Sequence, residues 1–231
     1  MNTTLLLLPG MDGTDVFFRP LIEALPPSVR TIVVSLPTTG GSGYADLLDY
    51  VRQKVAQLSD FYVLGSSFSG PLAVLLAASE PERVRGIILS ATFITSPRPR
   101  LSQFRFLMRG PVVGTTRFLR RLPIWFGRSK QDPFRIAKAE TWTRVSSGTL
   151  AARIRILLAV DVRSELNRCR QPTLCVTFDD DEAVPREKAQ EILREAQNAK
   201  SVNLSGPHLA MVLNPTPLAQ EIEKFINETG L

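Results

Sequence analysis

From Phe61 to Ser79 the chain runs nineteen residues without a charge, and at the centre of that run lies Gly65-Ser66-Ser67-Phe68-Ser69-Gly70-Pro71. No other stretch restricts the fold as much. A membrane-spanning helix needs about 20 predominantly apolar residues, and small polar residues and proline suit its middle badly. A strand, a tight turn and a buried helix accommodate all of them. Phe61–Leu64 is continuously apolar, as a strand buried on both faces requires. Pro71–Ser79 is apolar all round, which marks a helix enclosed by protein. Pro71 falls in its first turn, where N–H groups have no intrahelical partner. The run predicts a strand turning sharply into a buried helix, the local unit of a layered α/β domain.

The rest of the chain repeats that alternation. Thr3–Leu8, Thr31–Val34, Gly86–Ser90, Pro172–Phe178 and Ser201–Leu204 are short apolar or β-branched runs. Tyr44–Leu58 places Leu47, Leu48, Val51, Val55 and Leu58 on one helical face. Pro185–Ala196 and Pro215–Asn227 open with proline and continue with helix formers. This pattern predicts an α/β fold with a doubly wound, mostly parallel sheet. No longer period recurs, which excludes solenoids and propellers. One block departs from the alternation. Residues 95–170 hold Trp125 and Trp142, several Pro and Gly interruptions and no clear strand. A structureless loop of that length does not fit a compact domain. The block is therefore expected to be an inserted helical cap, with 1–94 and 171–231 forming the core.

A chain of 231 residues with 44% hydrophobic and 22% charged residues buries a full core without disulfide or metal staples. Disordered, collagen-like and disulfide-framework classes are excluded. One histidine, His208, and two cysteines, Cys169 and Cys175, make a poor metal set, so neither metal nor organic cofactor is expected. Cys175, inside an apolar run, reads as a buried free thiol. Met1 to Leu8 lacks the basic start of a signal peptide, and the protein is expected to be cytoplasmic.

The sharp turn also carries the chemistry. It forces its central side chain outward, and the residues two before and two after must be small because they press on neighbouring backbone. Centred on Ser67, those places hold Gly65 and Ser69; centred on Ser66 or Ser69, they would hold Leu64 or Pro71. Ser67 is thus the candidate nucleophile, with a serine at 69 where glycine is commoner. A serine at neutral pH needs a base. His208 follows the last strand, in Ser205-Gly206-Pro207-His208-Leu209. Loops after parallel strands gather at one edge, so Ser67 and His208 are expected together. Strand Pro172–Phe178 runs into Asp179-Asp180-Asp181-Glu182 at the same edge. The carboxylate that orients the base is expected from this cluster, at least two of whose members are plain solvated loop residues. Stabilising an oxyanion takes two fixed N–H donors. Phe68, directly after Ser67, is one. Met11, in Leu8-Pro9-Gly10-Met11-Asp12-Gly13-Thr14, is the other. The glycine spacing there matches neither a dinucleotide fingerprint nor a Walker A loop, and no nucleic-acid module is present.

Together these residues resemble the α/β-hydrolase superfamily, in particular its small bacterial serine hydrolases and esterases. The resemblance covers about Thr3–Thr95 and Gln171–Leu231. The order serine, acid, histidine is the family's. Its acid motif, Asp-x-x-Val-Pro, falls on Asp181-Glu182-Ala183-Val184-Pro185 and implies Asp181 rather than Asp179 or Asp180. Pro207-His208-Leu209 is similar to the family's histidine motif. Pro9-Gly10 stands where His-Gly is frequent, leaving Met11 in the donor place, and with a first strand expected from Thr3 the leading antiparallel strands of larger members are not expected in this sequence. The resemblance implies cleavage of a carboxylic ester or thioester through Ser67, His208, Asp181 and an acyl-enzyme. A serine nucleophile sets the chain apart from the superfamily's epoxide hydrolases and haloalkane dehalogenases. The alternatives are an acyl-carrier-protein methyl ester esterase, a phospholipase or lipase, an acyltransferase, and a binding protein that shares the fold without catalysis.

Charge bears on the choice of substrate. Residues 95–170 carry fifteen arginines and two lysines against four acids, while the remainder carries more acids than bases. The densest cluster is Arg117, Arg120 and Arg121, interleaved with Phe118 and Leu119. These arginines are candidate substrate-binding residues for an acidic acyl carrier protein or an anionic lipid. The competing reading is a solvated helix face.

Overall fold

The computed structural model of the chain describes residues 3–40, 43–119 and 133–230. Among the described residues six strands form one sheet: β1 (Thr3–Leu8), β2 (Val29–Val33), β3 (Phe61–Ser66), β4 (Val84–Ser90), β5 (Thr173–Asp180) and β6 (Ala199–Pro207). Their order is β2-β1-β3-β4-β5-β6. All five pairings are parallel, so the expected mostly parallel sheet is parallel throughout its described strands. The order reverses direction between β1 and β3. At such a switch point the loops leaving the two strands diverge to opposite faces and open a crevice at the strands' C-terminal ends.

Period-two alternation builds the two layers. Leu5 and Leu7 of β1 pack with α1 (Arg19–Ala24) and α10 (Thr216–Thr229), through Leu21, Leu218, Ile222 and Phe225. Leu6 and Leu8 pack on the other face with α2 (Tyr44–Lys54) and α3 (Gly70–Ser79), through Leu47, Val51, Leu72 and Leu76. Burying side chains of this kind contributes about 1.5–3 kcal/mol each. Every residue of β3 is buried, whereas the edge strand β6 alternates between half-buried and exposed. The charge-free run divides as expected, into β3 and a helix, α3, whose mean hydropathy is apolar around its circumference. No described helix is long and apolar enough to cross a membrane.

Between β4 and β5 the described residues form a 3₁₀ segment (Pro99–Leu107), α4 (Gly110–Leu119), α5 (Pro133–Arg144), α6 (Ser147–Leu157) and α7 (Arg163–Arg168). Thr95 makes an isolated antiparallel bridge with Asp161. Ser146 caps α6, its hydroxyl accepting from the Thr149 N–H at 3.0 Å. α7 brings Leu166 into the layer that holds α3. After β5 come α8 (Glu187–Glu195) and, beyond β6, the single turn α9 (Ala210–Leu213). Cys169 and Cys175 are buried and free, and burial pushes their thiols up to about 11 and about 12.

Candidate active site

Ser67 sits where β3 ends, with φ 50, in the left-handed region that side chains with a Cβ rarely adopt. The turn is held by contacts on every side. A Cβ at Gly65 would lie 2.5 Å from the Ser69 carbonyl and 2.8 Å from Ala73 Cβ, so the residue two before the serine has no room for a side chain. The residue two after it, Ser69, is fully buried and donates its hydroxyl to the Pro9 carbonyl, tying the turn to the loop after β1. Serine at that place is therefore a fitted residue and not merely a tolerated one. Ala91, also at positive φ (49), turns the chain at the end of β4. Its neighbour Thr92 donates from Oγ1 to the Ser67 carbonyl.

His208 and Asp181 arrive from the ends of β6 and β5. Ser67 Oγ lies 2.9 Å from His208 Nε2, and His208 Nδ1 lies 2.8 Å from Asp181 Oδ2. A carboxylate can only accept, so Nδ1–H donates to Asp181 and Nε2 is left to accept the Ser67 O–H. Asp181 is fixed in turn: its Oδ1 accepts the N–H groups of Ala183 (2.8 Å) and Val184 (2.9 Å). Burial would raise the Asp181 pKa. The His208 hydrogen bond and charge and these two backbone donors outweigh burial and hold it below the ordinary aspartate value. The neighbouring acids are engaged elsewhere or exposed. Asp179 accepts from Asn203 Nδ2 and, at 3.5 Å, from Ser205 Oγ; Asp180 is exposed. The structure thus brings together Ser67, His208 and, of the three aspartates, Asp181.

The two peptides expected to face an oxyanion lie against this group. Phe68 follows Ser67 directly and is fully buried; its carbonyl accepts the Tyr44 hydroxyl at 2.7 Å, and the two rings stack at 5.1 Å. Because C=O and N–H of one planar peptide point oppositely, the Thr92 bond to the Ser67 carbonyl also directs the Phe68 N–H. Met11 belongs to the turn after β1. A Cβ at its neighbour Gly10 would lie 3.8 Å from Ser67 Cβ, so the turn borders the serine. Both sit at the β1/β3 switch point. α3 starts immediately after the serine turn, and its N-terminal dipole favours negative charge there. The arrangement is able to withdraw the Ser67 proton and to hold the resulting positive imidazole against a carboxylate.

Tyr44 and Thr92 carried no signal in the sequence, and Ser69 signalled only its small size, because the partners of all three are distant in the chain. Of the three candidate substrate-binding arginines, Arg120 and Arg121 lie outside the described residues. Arg117 falls in α4, with its side chain likewise outside the description. Among the described residues no group of His, Cys, Asp and Glu is placed to hold a metal ion.

Comparison with known proteins agrees with this architecture. The chain matches the Alpha/beta hydrolase family over residues 5–221. It is 26% identical, across 98% of its length and 85% of the relative's, to a poly(3-hydroxyalkanoate) depolymerase of Ectopseudomonas oleovorans. It is 28% identical to a pimeloyl-[acyl-carrier protein] methyl ester esterase of Yersinia enterocolitica, covering 98% of this chain and 94% of that one. The fold superposes on MenH from S. aureus with a TM-score of 0.79 at 18% identity, covering all of this chain and 96% of the other.

Proposed function

The chain belongs to the alpha/beta hydrolase family, and on that premise we propose that it cleaves a carboxylic ester or thioester through an acyl-enzyme formed on Ser67. The observation that carries this reading is the unbroken relay Ser67 Oγ–His208 Nε2 (2.9 Å) and His208 Nδ1–Asp181 Oδ2 (2.8 Å). His208 Nε2 takes the Ser67 proton as Oγ attacks the acyl carbon. The N–H groups of Phe68 and Met11 hold the oxyanion. The imidazolium, stabilised by Asp181, returns its proton to the departing alcohol or thiol. His208 then deprotonates a water, which attacks the acyl-enzyme and restores Ser67. The esterase and depolymerase names of the relatives support an ester as the substrate class.

The test is Ser67→Ala. Turnover of p-nitrophenyl esters of graded chain length should fall by about 10⁴-fold or more, and a fluorophosphonate should label the wild type but not the variant. Ser66→Ala should keep its activity, since its buried Oγ has no hydrogen-bond partner among the described residues. Wild-type turnover in Ser67→Ala would defeat the assignment.

A second reading concerns the alcohol or carrier side of the substrate. The excess of arginine over residues 95–170 and the Yersinia relative's name favour an acyl group carried by an acidic acyl carrier protein. An anionic lipid would present similar charge. The helices of 95–170 would then act as a cap beside the Ser67 edge.

A further inference from the structure

We propose that Arg153, on α6, is a positioning residue that holds the Met11 turn in the shape an oxyanion needs. The proposal rests on the serine-hydrolase reading with Met11 N–H as a donor. Two consecutive peptides determine where that N–H points, and the structure anchors both. The Gly10 carbonyl accepts the Gly13 N–H at 3.0 Å, closing the turn. Met11 N–H belongs to the same planar peptide as that carbonyl, so it is aimed the opposite way. The next carbonyl, that of Met11, accepts Arg153 Nη1 at 2.6 Å. With one plane anchored on either side of its Cα, Met11 has little freedom left to rotate.

The fit between the turn and the cation is close. Gly13 has φ +73, and a Cβ there would lie 2.5 Å from Arg153 Nη1. Arg153 is 2% exposed, so it is a buried cation and not part of a solvated face. Its other arm, Nη2, donates to the Pro37 carbonyl at 2.8 Å, joining the Met11 turn to the loop beyond β2. Its guanidinium carbon stands 5.8 Å from the centre of the Phe68 ring, so one residue borders both proposed oxyanion donors. A planar guanidinium serves two carbonyls in fixed directions, which a lysine ammonium on a flexible stem does not. The cation also lies close enough to Asp12 for its charge to oppose the downward push of burial on the Arg153 pKa.

The plainer alternative is that Arg153 only docks α6. Docking has other supports, however. Thr149 Oγ1 and the Ser146 N–H both donate to the Thr38 carbonyl, at 3.0 and 3.3 Å. Thr149→Val therefore weakens docking without touching the Met11 turn. The experiment compares wild type, R153M, R153K and T149V. Active sites are counted with a fluorophosphonate, and kcat and KM are measured per counted site. Affinity is measured for an alkyl trifluoromethyl ketone, which adds Ser67 to form a tetrahedral oxyanion. Loss of a fixed donor predicts that kcat falls about 10²-fold or more in R153M, with KM within about threefold. Ketone affinity should fall by the same factor as kcat/KM. R153K should stay impaired, and T149V should lower Tm while keeping kcat within about twofold. Unchanged kcat per counted site in R153M, with a lowered Tm alone, would overturn the proposal; so would full recovery in R153K. Should R153M fail to fold, R153K decides by the same criteria. Absence of fluorophosphonate labelling in the wild type would instead remove the serine-hydrolase reading, so the two failures are distinguishable.

Discussion

Asp181 shows what a single residue owes to its neighbours. Three aspartates follow one another at the end of β5, and the side chain that faces His208 also accepts the N–H groups of Ala183 and Val184. Those two donors lie two and three residues on, which is the physical content of the Asp-x-x-Val-Pro spacing. Asp181→Asn should therefore lower kcat by about 10⁴-fold, because an amide cannot both fix the histidine tautomer and balance its charge. Asp179→Asn and Asp180→Asn should retain most activity. A steady-state comparison in which Asp180 matters most would reject the assignment. Stability carries the same signature. The Asp181 pKa is depressed in the folded state, so its stabilising contribution is fully present above the unfolded value of about 3.9 and is lost as pH falls through the folded value. Urea titrations at pH 5 and pH 3 should show wild type exceeding Asp181→Asn at the first, with the gap narrowing at the second.

The β3–α3 unit was legible as an element because one uncharged run has to serve both a strand and a helix. Its internal ties were not. Gly70 packs so closely on Thr92 that a Cβ would fall 2.0 Å from Oγ1 and 2.5 Å from Cγ2. Gly70→Ala should displace Thr92, the residue bonded to the Ser67 carbonyl, and destabilise the fold by about 1–3 kcal/mol, as overpacking does. Calorimetry and kcat should fall together; an unchanged Tm would show that the turn is slacker than its contacts indicate. Other elements were harder to place. The helix read as Tyr44–Leu58 ends at Lys54, although Val55 still packs in the core, because periodicity reports which face is buried and not where hydrogen bonding stops. α1, six residues long, is too short to register a helical period. β6 runs from Ala199 to Pro207, well beyond its apolar Ser201–Leu204 centre, since an edge strand exposes alternate side chains and its polar ends resemble loop.

At the scale of the whole molecule, charge is segregated, with arginine concentrated in residues 95–170. If that segment faces an anionic partner, Arg120→Glu with Arg121→Glu should raise KM for an acyl carrier protein ester with little change in kcat. Raising NaCl from about 20 to 500 mM should do the same in the wild type, as screening shortens the reach of charge. A small neutral ester should respond to neither; equal salt response for both substrates would make the arginines a solvated face. The amino-acid sequence by itself determined the alternation of buried strands and helices, the one serine with small residues two before and two after it, and the lone histidine after the last strand. These are local properties: side-chain size, period and order along the chain. The family resemblance had already pointed to Asp181, whose contact with His208 is a tertiary one; only the tertiary structure decided that Ser69, Thr92 and Tyr44 brace the serine turn, and that Arg153 reaches the Met11 carbonyl. Such contacts join residues far apart in sequence. Their directions depend on strand register, the switch between β1 and β3 and the docking of α6, none of which leaves a mark on neighbouring residues.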